Sequence, residues 1–169
     1  MSDSFQNSVI NTFPTIFEVV FKPIQKSYLK VILLNITFVF LLTLGLVFFL
    51  DSNELFEVSE FSFAIYIIIT ALFAVIFFLK IISFKTRKYI VREKDLSYKS
   101  GLLFKKLTTV PFNRIQHVEI DQGPFTRMFH LVSLSVFTAG DSSDDLKIRG
   151  LLKEEADQIN DFISSQIDG

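Results

Sequence analysis

Residues 31–50 read VILLNITFVFLLTLGLVFFL and residues 61–79 read FSFAIYIIITALFAVIFFL, and neither run contains a charged side chain. A helix needs about 20 mainly apolar residues to cross a hydrocarbon core about 30 Å thick. The two runs hold 20 and 19 residues, and Asn35, Thr37 and Thr43 are the polar side chains of the first. Buried helices of a soluble core are the competing reading. With 39 of 169 residues in two charge-free runs, too little polar surface would be left to cover them. The second run can continue through Ile82 across Lys80. A transmembrane hairpin over residues 31–82 is therefore predicted, with residues 51–60 as its outer loop. Asn35, one turn into the first helix, is placed to bond across to another helix or to reach interfacial water.

Charge outside the runs orients the hairpin. The linker of residues 51–60 carries four acids, Asp51, Glu54, Glu57 and Glu60, and no Lys or Arg. Lys22, Lys26 and Lys30 precede the first run, and Lys80, Lys85, Arg87 and Lys88 follow or close the second. Lys and Arg collect on the cytoplasmic side of short loops, so both termini are expected in the cytoplasm. Thirty residues precede the first run and no Ala occurs before Ala64, which argues for a retained anchor over a cleaved signal peptide. Residues 1–30 form an N-terminal cytoplasmic segment. Within it, Phe13 to Tyr28 places Ile16, Phe17, Val20 and Ile24 on one helical face. It can lie in the headgroup region or pack on the soluble domain, and Pro23 would break or kink it.

Residues 83–169 change from runs to alternation, the mark of strands. Lys88–Arg92, Leu96–Tyr98, Leu102–Val110, His117–Asp121, Val132–Ala139 and Leu146–Arg149 are predicted strands. Val118, Ile120, Val132, Leu134, Val136, Leu146 and Ile148 face inward in this reading. Ser100-Gly101 is read as a turn, and Gly140–Asp145 has turn chemistry. After Gly150 the period becomes helical, with Leu152, Ala156, Ile159, Ile163 and Ile167 on one stripe widened by Phe162. Glu154, Glu155 and Asp157 occupy the positive start of that helix. A partly open barrel capped by the terminal helix covers such a sheet economically.

Several stretches then point to a known family. They are Arg87–Tyr98, with Tyr89-Ile90-Val91 and Asp95-Leu96-Ser97-Tyr98, and Pro111-Phe112-Asn113-Arg114-Ile115-Gln116-His117-Val118. Gln122-Gly123-Pro124-Phe125-Thr126-Arg127, Leu134-Ser135-Val136 running to Thr138-Ala139-Gly140, and Lys147-Ile148-Arg149-Gly150-Leu151 follow in order. Together they resemble the membrane-anchored bacterial pleckstrin-homology-like domains of the YdbS type, over about residues 83–167. The resemblance implies a membrane protein with two transmembrane helices plus an α+β, mainly β, pleckstrin-homology-like barrel capped by a C-terminal helix. It also implies a non-enzymatic adaptor that binds a related membrane protein, such as a longer relative carrying several such domains. The role it implies lies in envelope stress or antimicrobial-peptide tolerance. A homo-oligomer stays open. His130 departs from the family pattern, which has Gly there; that Gly implies a positive backbone dihedral, which His tolerates better than a β-branched residue.

Catalytic chemistry is not legible. With no Cys there is no thiolate nucleophile, disulfide or zinc-thiolate site, and the two His, His117 and His130, have no G-x-S-x-G elbow to serve. His117 reads as a surface strand residue. The six Gly are isolated, so no phosphate-cradling loop is formed. Asp141, Asp144 and Asp145 lack the Gly and terminal Glu of a calcium loop and read as a solvated hairpin tip. No cofactor or metal is expected.

Charge is informative instead. Lys80 to His117 carries ten basic and two acidic residues, a net of +8, whereas Val118 to Gly169 carries ten acidic and four basic, a net of -6. Anionic lipid attracts basic residues near the surface by about 1 kcal/mol each. Lys80, Lys85, Arg87, Lys88, Lys94, Lys99, Lys105 and Lys106 are therefore candidate lipid-headgroup contacts, and the alternative function is a module recognising anionic headgroups at the inner leaflet. The first four are also accounted for by hairpin orientation alone. Nucleic-acid binding would call for an aromatic stacking motif, which the basic stretch does not show. An enzyme acting on lipid lacks candidate residues.

Overall fold

The computed structural model describes residues 20–52, 62–139 and 146–167. The acidic linker beyond Ser52, the expected turn at 140–145 and the part of the N-terminal segment before residue 20 lie outside the described residues. Helix α1 spans Ser27–Ser52 and α2 spans Ser62–Phe84. Nearly every side chain along both apolar stretches is uncovered by protein, including Leu42, Leu46, Phe48, Ile68, Leu72 and Phe78. A core helix of a soluble protein would be covered; helices this long, apolar and uncovered suit a lipid bilayer. Phe40 and Phe73 meet between them with ring centroids 5.0 Å apart. Asn35 makes no cross-helix bond: its Nδ2 donates to the Val31 carbonyl 3.2 Å away in its own helix. A backbone acceptor one turn back satisfies the amide locally.

Among the described residues there are seven strands. β1 is Lys22–Pro23, β2 Lys88–Val91, β3 Asp95–Ser100 and β4 Lys106–Pro111; β5 is Ile115–Asp121, β6 Leu131–Thr138 and β7 Leu146–Leu152. All pairings are antiparallel, in one sheet of order β1-β2-β3-β4 and another of order β5-β6-β7. Of the expected partly open barrel, the antiparallel sheets and the terminal helix are present; among the described residues the strands form two sheets, with no closed barrel. The crossing lies at Pro111, which ends β4, and at the 3-10 turn Phe112–Arg114. Phe112 is buried there, edge-on to Phe162 at 5.8 Å.

β4 also starts later than its alternation suggested. Gly101 has φ +103°, and the Phe104 carbonyl folds back onto the place where a Gly101 Cβ would stand. The chain therefore turns through residues 101–105 before pairing resumes at Ser100 and Lys106. In β6 the inward set Val132, Leu134 and Val136 is buried as expected, but Ser133 and Ser135 are buried as well. As the middle strand, β6 has these small side chains overshadowed by their register neighbours Asp121, Arg149, Glu119 and Lys147. Ile120 is only partly buried, because β5 is an edge strand.

Helix α4, Lys153–Ile167, lays Ala156, Ile159 and Ile163 into the core. Leu152, expected to open its stripe, instead ends β7 and is partly exposed. The same core takes in Ile24, Tyr28 and Val31, from β1 to the first turns of α1. The segment before the first span thus packs on the sheets over residues 22–31, with Pro23 in β1 rather than in a helix. At about 1.5 Å per residue the 26 residues of α1 are longer than a bilayer core requires, so its first turn is free to join the soluble core. Gly150, φ +84°, makes room for it: a Cβ there would lie 2.5 Å from the Tyr28 Cγ, and its carbonyl accepts the Gln25 N–H at 3.0 Å. The short helix α3, Pro124–Arg127, joins β5 to β6. His130 follows it with φ 54°, the positive dihedral expected where the family pattern has Gly.

Candidate functional site

The eight basic candidates do not form one patch. Lys80 is exposed on the last turns of α2 and Lys85 in the turn after it. Arg87 is half-buried, with its guanidinium 5.9 Å over the Tyr28 ring, so it serves the join between helix and sheet. Lys88 opens β2 and stands opposite Lys99 of β3. Because β3 and β4 are antiparallel, Lys99, Lys105 and Lys106 gather at the end of the sheet where α2 delivers the chain. Lys94 lies in the turn between β2 and β3, at the other end. A strand rises about 3.4 Å per residue, so the six residues of β3 put roughly 17 Å between Lys94 and the other three. Their closeness in sequence concealed this, since a hairpin sends neighbouring turns to opposite ends.

The helix end also carries apolar surface. Leu103 is 81% and Phe104 89% exposed in the β3–β4 tip, and Leu107 is 58% exposed beside them. On the second sheet, Met128 after α3 is 67% exposed, and Phe125 of α3 meets Phe38 of α1 edge-on at 5.7 Å. Sequence reading placed the turn at Ser100-Gly101 but began the next strand at Leu102, so it missed the rest of the tip. The signal was present: Leu102-Leu103-Phe104 is a run of three apolar residues behind a Gly, which alternation does not allow.

A groove of about 360 Å³ lies between β2 and α4, with Tyr89, Ile90 and Val91 on one side and Glu155, Ile159 and Phe162 on the other. β1 pairs with β2 only at Lys22–Tyr89 and Pro23–Lys88, so the described part of β1 stops short of Ile90 and Val91. At the helix end of the groove the Glu155 carboxylate accepts from both the Lys22 ammonium and the Tyr89 hydroxyl. Burial raises the Glu155 pKa, but these two donors outweigh it and hold the carboxyl below its ordinary value. Burial, then the Glu155 carboxylate, drives the Tyr89 hydroxyl above the ordinary phenol range. The groove thus has an apolar floor, one fixed polar end and a strand edge. The sequence showed Phe162 as an addition to the helical stripe, and nothing in it showed that Phe162 would face β2.

His117 is a surface strand residue, its ring stacked on Phe137 at 4.4 Å with Glu119 3.5 Å from Nε2. Among the described residues no three acidic or His side chains converge.

Two apolar helices leading into antiparallel sheets closed by a C-terminal helix suit one family, and the Bacterial PH domain family matches residues 31–167. The chain belongs to the Bacterial PH domain family. As in that match, the region of a Bacterial PH domain here includes the helical hairpin as well as the sheets. The UPF0699 transmembrane protein YdbS of Bacillus subtilis (strain 168) is 32% identical over 89 residues, which are 53% of this chain and 54% of that protein. The chain thus spans about half the length of the curated relative it matches. No solved structure gives a significant match. Among the described residues of this Bacterial PH domain protein two helices are long and apolar enough to cross a membrane, in keeping with a relative named as a transmembrane protein.

Proposed function

We propose that the chain is a non-enzymatic adaptor of the bacterial plasma membrane, both termini cytoplasmic, whose β2–α4 groove takes an extended juxtamembrane segment of another membrane protein. The groove carries this reading. An extended peptide laid beside Ile90 and Val91 would gain main-chain hydrogen bonds from the strand edge and bury apolar side chains against Ile159 and Phe162. The position of the groove selects the partner. β2 begins four residues after α2 ends, so the groove opens within about one strand length of the bilayer, where juxtamembrane segments run. A longer relative with several domains of this kind is the expected partner, through its resemblance to this chain. Orientation rests on the basic residues flanking the two helices and the acidic linker between them.

A photo-crosslinking side chain at Gln158, in the full chain in its native membrane, tests the reading. The expected adduct joins Gln158 to the juxtamembrane segment of one membrane protein, and Phe162→Ala weakens its capture by about 10- to 100-fold, as loss of a central aromatic anchor does. Adducts only to lipid, or only to residues 1–19 of the same chain, would refute it.

A further inference from the structure

We propose that the β3–β4 tip is a third point of membrane contact: Leu103 and Phe104 enter the lipid leaflet on the helix-end side, and Lys99, Lys105 and Lys106 lie among its phosphates. Position is the first support. β2 leaves α2 after a turn of three residues, Lys88 opposes Lys99, and Ser100 opposes Lys106, so the tip projects from the end of the sheet nearest the bilayer. The second support is depth. Phe125 touches Phe38, which lies seven residues into the charge-free run that begins at Val31. Val31 itself is buried in the soluble core, and at 1.5 Å per residue Phe38 lies about 10 Å further along the helix, so α3 sits beside the early turns of the span. A domain held this close to the bilayer cannot keep its helix end clear of the headgroups.

Chemistry is the third support. Two adjacent large apolar side chains, 81% and 89% exposed, sit on a tip collared by lysines. That pattern suits the boundary between acyl chains and phosphates, where apolar side chains leave water and lysine stems reach back to charge. Gly101 sets the shape. Its φ of +103° and the close Phe104 carbonyl fold the tip so that Leu103 and Phe104 stand outward. The three exposed lysines stand at the strand ends beside the tip, a spread that suits a leaflet surface more than one selected headgroup. It is independent of what occupies the groove.

The chain has no cysteine, so single labels are simple to place. The full chain is reconstituted in nanodiscs of phosphatidylglycerol and phosphatidylethanolamine, carrying an environment-sensitive fluorophore at Lys105→Cys or, as far-end control, at Lys94→Cys. Acyl chains brominated near the headgroup should quench the label at 105 at least threefold more than the label at 94. Adding Leu103→Asp and Phe104→Asp should bring the label at 105 to the level of the control. Equal quenching of the two labels would sink the proposal. So would quenching at 105 that persists in the double Asp variant, which would assign it to the spans alone. Shielding of the label at 105 from both brominated lipid and aqueous iodide would mean that protein, such as a second copy, covers the tip, and would also overturn it.

Discussion

Gly150 shows how one residue joins the two parts of the chain. With φ +84° and Tyr28 against its α-carbon, it has no room for a methyl group. Gly150→Ala combines a left-handed backbone with a clash against a buried ring, and should lower stability by about 3 kcal/mol, read from thermal unfolding in detergent. His130, at φ 54°, tolerates its backbone, whereas a β-branched side chain would not. His130→Val should cost about 1–2 kcal/mol in the same assay, and His130→Asn almost nothing. Glu155 gives a pH dependence. Its folded-state pKa is lowered from the ordinary 4.5, so its contribution is present above that value and is lost as pH falls through the lowered one. Acid unfolding of Glu155→Gln should show a shallower loss of stability below about pH 4.5. His130 was legible because a resemblance named the residue it replaces. Gly150 was not, since Tyr28 is far away in sequence.

At the level of elements, β6 is the test of register. Leu134 is fully buried in the middle strand, while Ile120, its partner in β5, is partly covered at an edge. Leu134→Ala should cost about 3–4 kcal/mol and Ile120→Ala about half as much, measured by denaturant unfolding. Equal losses would mean that β5 is covered by something else. Alternation found both residues and their inward direction, because a period of two follows from the pleat itself. It did not distinguish edge from middle, because strand order is set by pairing between segments. The β3–β4 tip failed for a related reason. Ser100-Gly101 was legible as a turn, but the apolar Leu102, Leu103 and Phe104 read as the start of the next strand, and the left-handed Gly101 with the Phe104 carbonyl folded back on it shows that the turn runs on to Lys105.

On the scale of the whole molecule, the core crosses the membrane hairpin in sequence. Ile24, Tyr28 and Val31 come before the spans and are buried among residues that come after them. Burying three such side chains is worth about 1.5–3 kcal/mol each, a total comparable with the 5–15 kcal/mol that holds a domain together. A fragment of residues 83–169 alone should therefore show dispersed signals lost in NMR and bind hydrophobic dyes. Joining residues 20–31 back to it by a flexible linker should restore cooperative unfolding. A well-folded 83–169 fragment would show that the N-terminal residues are dispensable. Orientation has its own measurement: in intact cells, a membrane-impermeant maleimide should label Ser52→Cys and leave Ser165→Cys unlabelled until the cells are lysed.

The two charge-free runs determined that this chain spans a membrane, because their length and lack of charge are local properties matched to the bilayer. Period and turn chemistry likewise determined strands followed by a helix, and ordered motifs carried the family resemblance. Tertiary structure decided what those elements do together. It divided the strands into two sheets, sent Lys94 away from Lys99, Lys105 and Lys106, drew β1 and the start of α1 into the core, and set Phe162 opposite Ile90 and Val91. Each of these depends on which distant segments meet. A linear pattern records the side chains that must leave water, but not the partners against which they leave it.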